Sequence, residues 1–187
     1  MPTATPKPKP TNTPAPSGYP VGATVKYTAA NGYYKITGTN TTEYIKPVNK
    51  KAGTIVIPDS VNLNGVNYKV TSIASKAFKS NKYLKKLTIG NNVIQIKSYA
   101  FYKCTKLNTI KIGGSVKYIG KQSFYSCKKL SNMRFYTSRL KQKYIGSNAF
   151  KGTPSQMKVY VQRKFAKSYK SIFVKRGMSK KIVIKKM

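Results

Sequence analysis

The chain has 187 residues, 40% of them apolar, and carries 37 Lys and Arg against two acids (Glu43 and Asp59) and no His, for a formal charge of +35. That length suffices for one domain with a real core plus a tail. The absent His, the two lone carboxylates and the lack of a Gly-rich phosphate loop exclude Ser-His-Asp and Cys-His nucleophiles, paired-carboxylate hydrolysis and clustered metal sites. A Lys nucleophile or Ser-Lys pair remains formally available, but no other feature recommends it. The chain therefore reads as a non-enzyme with no cofactor and no metal.

Residues 1–18 read as a Pro/Thr-rich linker. From Pro2 to Pro16 proline alternates with small polar residues, a composition that forms a semi-extended spacer rather than a core. Such a spacer implies a further domain upstream of it. No signal peptide follows Met1, and no apolar run approaches the ~18 residues of a membrane span, so no transmembrane segment is expected.

Residues 19–69 read as an N-terminal β cap with the first coil. Val25-Lys26-Tyr27 and Tyr33-Tyr34-Lys35-Ile36 flank Asn31-Gly32, and Val61-Asn62-Leu63 and Val66-to-Val70 flank Asn64-Gly65; both are hairpin signals. Thr54-Ile55-Val56-Ile57 adds a further strand.

Residues 70–160 repeat themselves. Val70, Ile73, Phe78, Leu84, Leu87 and Ile89 recur as Val93, Ile96, Phe101, Leu107, Ile110 and Ile112, then as Val116, Ile119, Phe124, Leu130, Met133 and Phe135, each shift being 23 residues. A fourth, partly degenerate unit places Ile145, Ala149-Phe150, Met157 and Val159 in the same roles, displaced by 26 because about three residues are inserted around Arg139. One unit cannot bury its own apolar face, so stacked units must share a continuous core and need caps at the ends. This is a solenoid. Its central requirement is that Phe78, Phe101, Phe124 and Phe150 occupy successive rungs of one apolar stack.

Residues 161–187 read as the C-terminal cap. Phe165, Tyr169, Ile172 and Phe173 follow helical spacing, Gly177 supplies a stop, and Ile182-Val183-Ile184 suits a closing strand. Residues 158–187 also hold eleven Lys and Arg without an acid. Such a segment could grip a polyanion by counterion release, but as the solvated outer face of the capping helix it needs no ligand.

The units resemble the BspA-like (Treponema-type) leucine-rich repeats of bacterial surface proteins, which read approximately V-x-x-I-G-x-x-A-F-x-x-C-x-x-L-x-x-I-x-I. Residues 96–107 and 119–130 follow that pattern nearly position for position, and the resemblance covers about residues 54 to 161. It implies an α+β leucine-rich-repeat solenoid of about four to five coils with an N-terminal β cap and a C-terminal helix-strand cap. It further implies an extracellular, surface-bound or secreted binding or adhesion module with no catalytic residues to transfer.

Two candidate sites follow. Cys104 and Cys127 lie one period apart and should stack. A disulfide between neighbouring coils is conceivable, but Asn81 and Thr153 fill the equivalent slots, and buried free thiols are the preferred reading. The outward positions of the strands give a column read as Thr88, Lys111, Arg134, Lys158 and a next column read as Gly90, Gly113, Tyr136, Tyr160. Basic groups beside Tyr faces on a concave sheet suit a protein, glycan or anionic-polymer ligand, so Lys111, Arg134, Lys158, Tyr136 and Tyr160 are the candidate ligand-binding residues. With four Arg among its basic residues, the chain is poorly supplied with the bidentate forks of sequence-specific nucleic-acid reading. An alternative role is an electrostatic anchor, holding an upstream catalytic domain to anionic cell-wall polymer.

Overall fold

A computed structural model describes residues 18–187; apart from Gly18, the linker lies outside the described residues. The strands are β1 (Thr24–Tyr27), β2 (Gly32–Gly38), β3 (Thr41–Lys46), β4 (Thr54–Ile57), β5 (Ser60–Leu63), β6 (Val66–Ile73), β7 (Lys86–Ile89), β8 (Gln95–Ile96), β9 (Thr109–Ile112), β10 (Tyr118–Ile119), β11 (Asn132–Phe135) and β12 (Lys158–Val161). Helix α1 (Ala166–Lys175) and strand β13 (Val183–Lys186) follow. The α+β expectation is met by strands far more than by helix, since α1 is the one α-helix among the described residues.

Two sheets form two sides of the coil. One holds six strands in the order β13-β12-β11-β9-β7-β4, all parallel. Its strands alternate strictly, so that Leu87, Ile110, Met133 and Val159 point inward in one continuous row. Burying each is worth about 1.5–3 kcal/mol relative to exposure. The other sheet runs β1-β2-β3-β6-β8-β10, with β5 also paired to β6. It begins as antiparallel hairpins and becomes parallel where the repeat takes over.

The hairpin signals hold. Asn31 carries the left-handed turn between β1 and β2 at φ 44°, and Asn64 and Gly65, at φ 52° and 78°, close β5 onto β6 as a two-residue turn with both central φ values positive. Strand β6 runs across position 69/70, where the cap was expected to give way to the repeat, so one strand serves both.

The Ala-Phe turns make the third side. They too form a ladder: Phe78 N–H donates to Ala100 O at 2.7 Å, Phe101 N–H to Ser123 O at 2.8 Å and Phe124 N–H to Ala149 O at 2.8 Å. Aiming every second N–H at the next coil bends the chain into left-handed conformation twice per turn, at Lys76 and Ser80, Tyr99 and Lys103, Gln122 and Ser126, Asn148 and Gly152.

Beneath the turns runs the ring stack. Centroids of Tyr44, Phe78, Phe101, Phe124 and Phe150 follow one another at 5.5, 5.1, 5.1 and 5.7 Å, and each pair lies within 17° of parallel. Tyr34 closes one end edge-on at 5.4 Å and Phe173 the other at 5.6 Å. The four repeat phenylalanines thus occupy successive rungs, and Tyr44 and Phe173, from the segments on either side, join the same column.

The C-terminal segment, expected as a helix-strand cap, folds as a 3-10 turn, one helix and one strand. A 3-10 turn, Arg163–Phe165, leads into α1, which buries Tyr169 and Phe173. It stops at Gly177 (φ 105°), where Met178 N–H bonds Phe173 O and Gly177 N–H bonds Val174 O. The insertion around Arg139 is anchored by α1. Tyr169 hydroxyl donates to Thr137 O and accepts from Leu140 N–H, both at 3.2 Å.

Candidate functional site

The parallel register fixes which outward side chains share a row. Val56, Thr88, Lys111, Arg134, Tyr160 and Lys185 stand side by side on the outer face of the six-stranded sheet. The row beside it is Thr54, Lys86, Thr109, Asn132, Lys158 and Val183. This corrects the predicted columns: Tyr160, not Lys158, neighbours Arg134, and Lys158 lies opposite Asn132. The reason is that each unit places its first inward strand residue nine positions after its ring, from Phe124 to Met133 and again from Phe150 to Val159. The full displacement of 26 therefore persists into the strand.

That correction makes a contact legible. The Arg134 guanidinium lies 4.3 Å from the Tyr160 ring centroid, a cation–π pair that holds both side chains to the sheet. Tyr136 follows directly after β11 and is 43% exposed; its N–H donates to Ile112 O at 3.0 Å, and its carbonyl accepts from the Gln162 amide at 2.8 Å.

Between Tyr136 and β4 lies a depression of about 280 Å³, lined by Val56, Asp59, Thr88, Lys111, Gly113 and Tyr136. Gly90 and Gly113 also line it, and having no Cβ each packs its backbone against the coil before it. Val56 is 55% exposed, a large apolar group left to water. Asp59 is fixed at one rim, its carboxylate accepting from Asn91 N–H and its carbonyl from Val70 N–H. A carboxylate, Asp59, and an ammonium, Lys111, thus both line the depression. Lys111, Arg134, Tyr136 and Tyr160 come together on this face, while Lys158 sits one row aside. Sequence reasoning missed Val56 and Asp59, although the alternation of Thr54-Ile55-Val56-Ile57 in step with Lys86-Leu87-Thr88-Ile89 was the signal that places Val56 in the row.

The two cysteines are free and buried in adjacent coils. Each thiol donates to a carbonyl of the coil before, Cys104 to Phe78 O at 3.0 Å and Cys127 to Phe101 O at 3.2 Å. Burial pushes the Cys104 thiol from near 9 up to about 12, and burial together with the neighbouring Cys104 raises Cys127 well above its usual range. A thiol disulfide reagent is expected to leave both unmodified in native protein at pH 8 and to titrate both in urea. Rapid native labelling would contradict their burial. In the unfolded chain these thiols ionise near 9 while the folded ones keep their protons, so their contribution to stability is full below pH 9 and is lost as pH rises toward 12.

Among the described residues no group of three or more His, Cys, Asp or Glu could hold a metal ion. No helix among them is long and apolar enough to cross a membrane.

The pattern of the BspA type leucine rich repeat region matches residues 55–179 in six copies. The chain belongs to the BspA-type leucine-rich-repeat family. Its structure is similar to that of a leucine-rich repeat protein from Bacteroides ovatus, with TM-score 0.63 and 28% identity over 73% of this chain and 35% of that one. A leucine-rich repeat protein from Bacteroides capillosus gives TM-score 0.56 and 26% identity over 70% of this chain and 96% of that one. A leucine rich cell surface protein from Faecalibacterium prausnitzii shares the fold at TM-score 0.53 and 22% identity, over 72% of this chain and 44% of that one. This BspA-type chain spans about a third of the length of the Bacteroides ovatus protein. No curated protein matches it.

Proposed function

We propose that this BspA-type chain is a non-catalytic binding module of the bacterial cell surface or secreted space, and that the outer face of its six-stranded sheet recognises a protein partner. The observation that carries this reading is the row Val56, Lys111, Arg134, Tyr160 with Tyr136 beside it: exposed apolar and aromatic groups mixed with cations on a rigid sheet. Tyr and Arg supply contact area and directed charge at low entropic cost, the composition that dominates binding energy at interfaces. Lys111 and Arg134 select acidic partner segments, and Asp59 gives one counter-position for a basic residue. The description of the Faecalibacterium relative as a cell surface protein supports the location.

A displayed library of random peptides, selected on immobilised full-length protein at physiological salt, tests the proposal. Enriched peptides are expected to be acidic and to combine their acids with apolar residues. The triple variant Arg134→Ala, Tyr136→Ala, Tyr160→Ala should bind them at least tenfold more weakly with an unchanged melting temperature. Undiminished binding by that variant removes this face from consideration.

A further inference from the structure

The third side of the coil, built by the Ala-Phe turns, presents a different chemistry from the sheet face. The inter-coil ladder aligns Lys79, Tyr102, Tyr125 and Lys151 as one column along the solenoid axis, because Ser80, Lys103 and Ser126 donate in turn to Tyr102, Tyr125 and Lys151 carbonyls. Neighbouring coils are 5.1–5.7 Å apart at the ring stack below. Tyr102 and Tyr125 are stacked at 5.2 Å, and the ammonium groups of Lys79 and Lys103 stand 5.9 and 5.4 Å from the Tyr102 ring centroid. At the N-terminal end the column opens into a basin of about 390 Å³ whose lining includes Lys46, Lys50, Lys76, Lys79 and Lys82.

No carboxylate offsets this charge. The chain has two acids. Glu43 is buried in the second sheet, 2.6 Å from Lys97 Nζ and bonded by Ser72 hydroxyl, and Asp59 belongs to the depression on the sheet face. A line of ammonium groups with so little opposing charge repels itself and gathers anions.

We propose that this third side is a docking track for a linear, base-free phosphodiester polymer, entered at the lysine basin. Every cation on it is lysine, a compact point charge that binds phosphate without the planar fork that Arg offers to phosphate and carboxylate alike, so the track holds a chain of anions by charge and not by bidentate geometry. Single-stranded nucleic acid binds such a track by stacking bases on open aromatic faces. Here Tyr102 has Tyr125 stacked on it, Tyr99 edge-on at 5.7 Å and the two ammonium groups beside it, so this ring rigidifies the lysines and offers no slot for a base. The track is separate from the sheet face and does not depend on what that face binds.

The test uses the full chain with a poly(glycerol phosphate) probe, titrated across a series of salt concentrations. Binding is expected, with log K falling linearly in log salt by about 0.7 per phosphate contact. The variant Lys79→Gln, Lys82→Gln, Lys103→Gln, all at exposed positions, should bind at least tenfold more weakly at low salt and show a slope smaller by about 2. The sheet-face triple variant should bind the polymer like the wild type. Equal binding by the lysine variant, a loss with the sheet-face variant instead, or tenfold preference for single-stranded DNA or a sulfated polysaccharide of equal charge would each overturn the proposal.

Discussion

Phe101→Ala is expected to cost about 3–5 kcal/mol of unfolding free energy, the range for deleting a fully buried aromatic ring. The ring is wholly buried and lies between two partners, with Phe78 and Phe124 each at 5.1 Å. Truncation forfeits the transfer energy of the ring and two stacking contacts. The gap also cannot collapse easily, because both flanking rings are held by turns whose carbonyl and N–H groups are tied coil to coil. Tyr102→Ala is the control. It removes a ring from the adjacent position in the same turn, but that ring lies on the outer side, partly exposed and stacked only at the surface, so its loss should stay near 1 kcal/mol or below. Urea unfolding with the m-value compared across variants separates the two. Similar losses for both variants would mean that the buried column is not the axis of the fold.

That axis was the most legible part of the sequence. A phenylalanine returning every 23 residues with the same apolar companions leaves few ways to bury all of them, and stacked coils are the economical one. The hairpins were legible because Asn-Gly has a specific backbone use, and the C-terminal helix because Phe165, Tyr169 and Phe173 combine helical spacing with a glycine stop. Two features were not legible, for different physical reasons. The left-handed residues Lys76, Ser80, Tyr99 and Lys103 carry no local signal, since it is the bonds between coils that dictate their conformation. The row on the sheet face was misread in the fourth unit because Lys158 and Tyr160 are both outward residues two apart, and alternation alone allows either to oppose Arg134. What settles it is the constant nine-residue path from ring to strand, a spacing imposed by the coil's cross-section. The sheet face therefore acquires Tyr160 against Arg134, Val56 from β4 and Asp59 from the turn after it.

Gly113 and Gly114 are adjacent in sequence and should answer the same substitution with opposite signs. A Cβ on Gly113 would lie 2.2 Å from Gly90 O, 2.6 Å from Gly90 C and 2.9 Å from Asn91 Cα, all of them backbone atoms of the preceding coil. None of these can rotate away, so Gly113→Ala must push two coils apart at the end of their paired strands. A cost of about 2–3 kcal/mol is expected, the upper part of the range for overpacking. A Cβ on Gly114 would meet only the Asn91 side-chain oxygen at 3.8 Å, an ordinary contact, and Gly114 is not among the residues with positive φ. Gly114→Ala should therefore raise stability by about 0.4–1 kcal/mol by narrowing the unfolded ensemble. The comparison bears on binding as well as folding. Gly90 and Gly113 line the depression together with Val56 and Tyr136, and their coils approach closely there. If Gly113→Ala proved neutral, the coils would have room to separate there, and the depression would lack the rigidity that holds Lys111 and Tyr136 beside it.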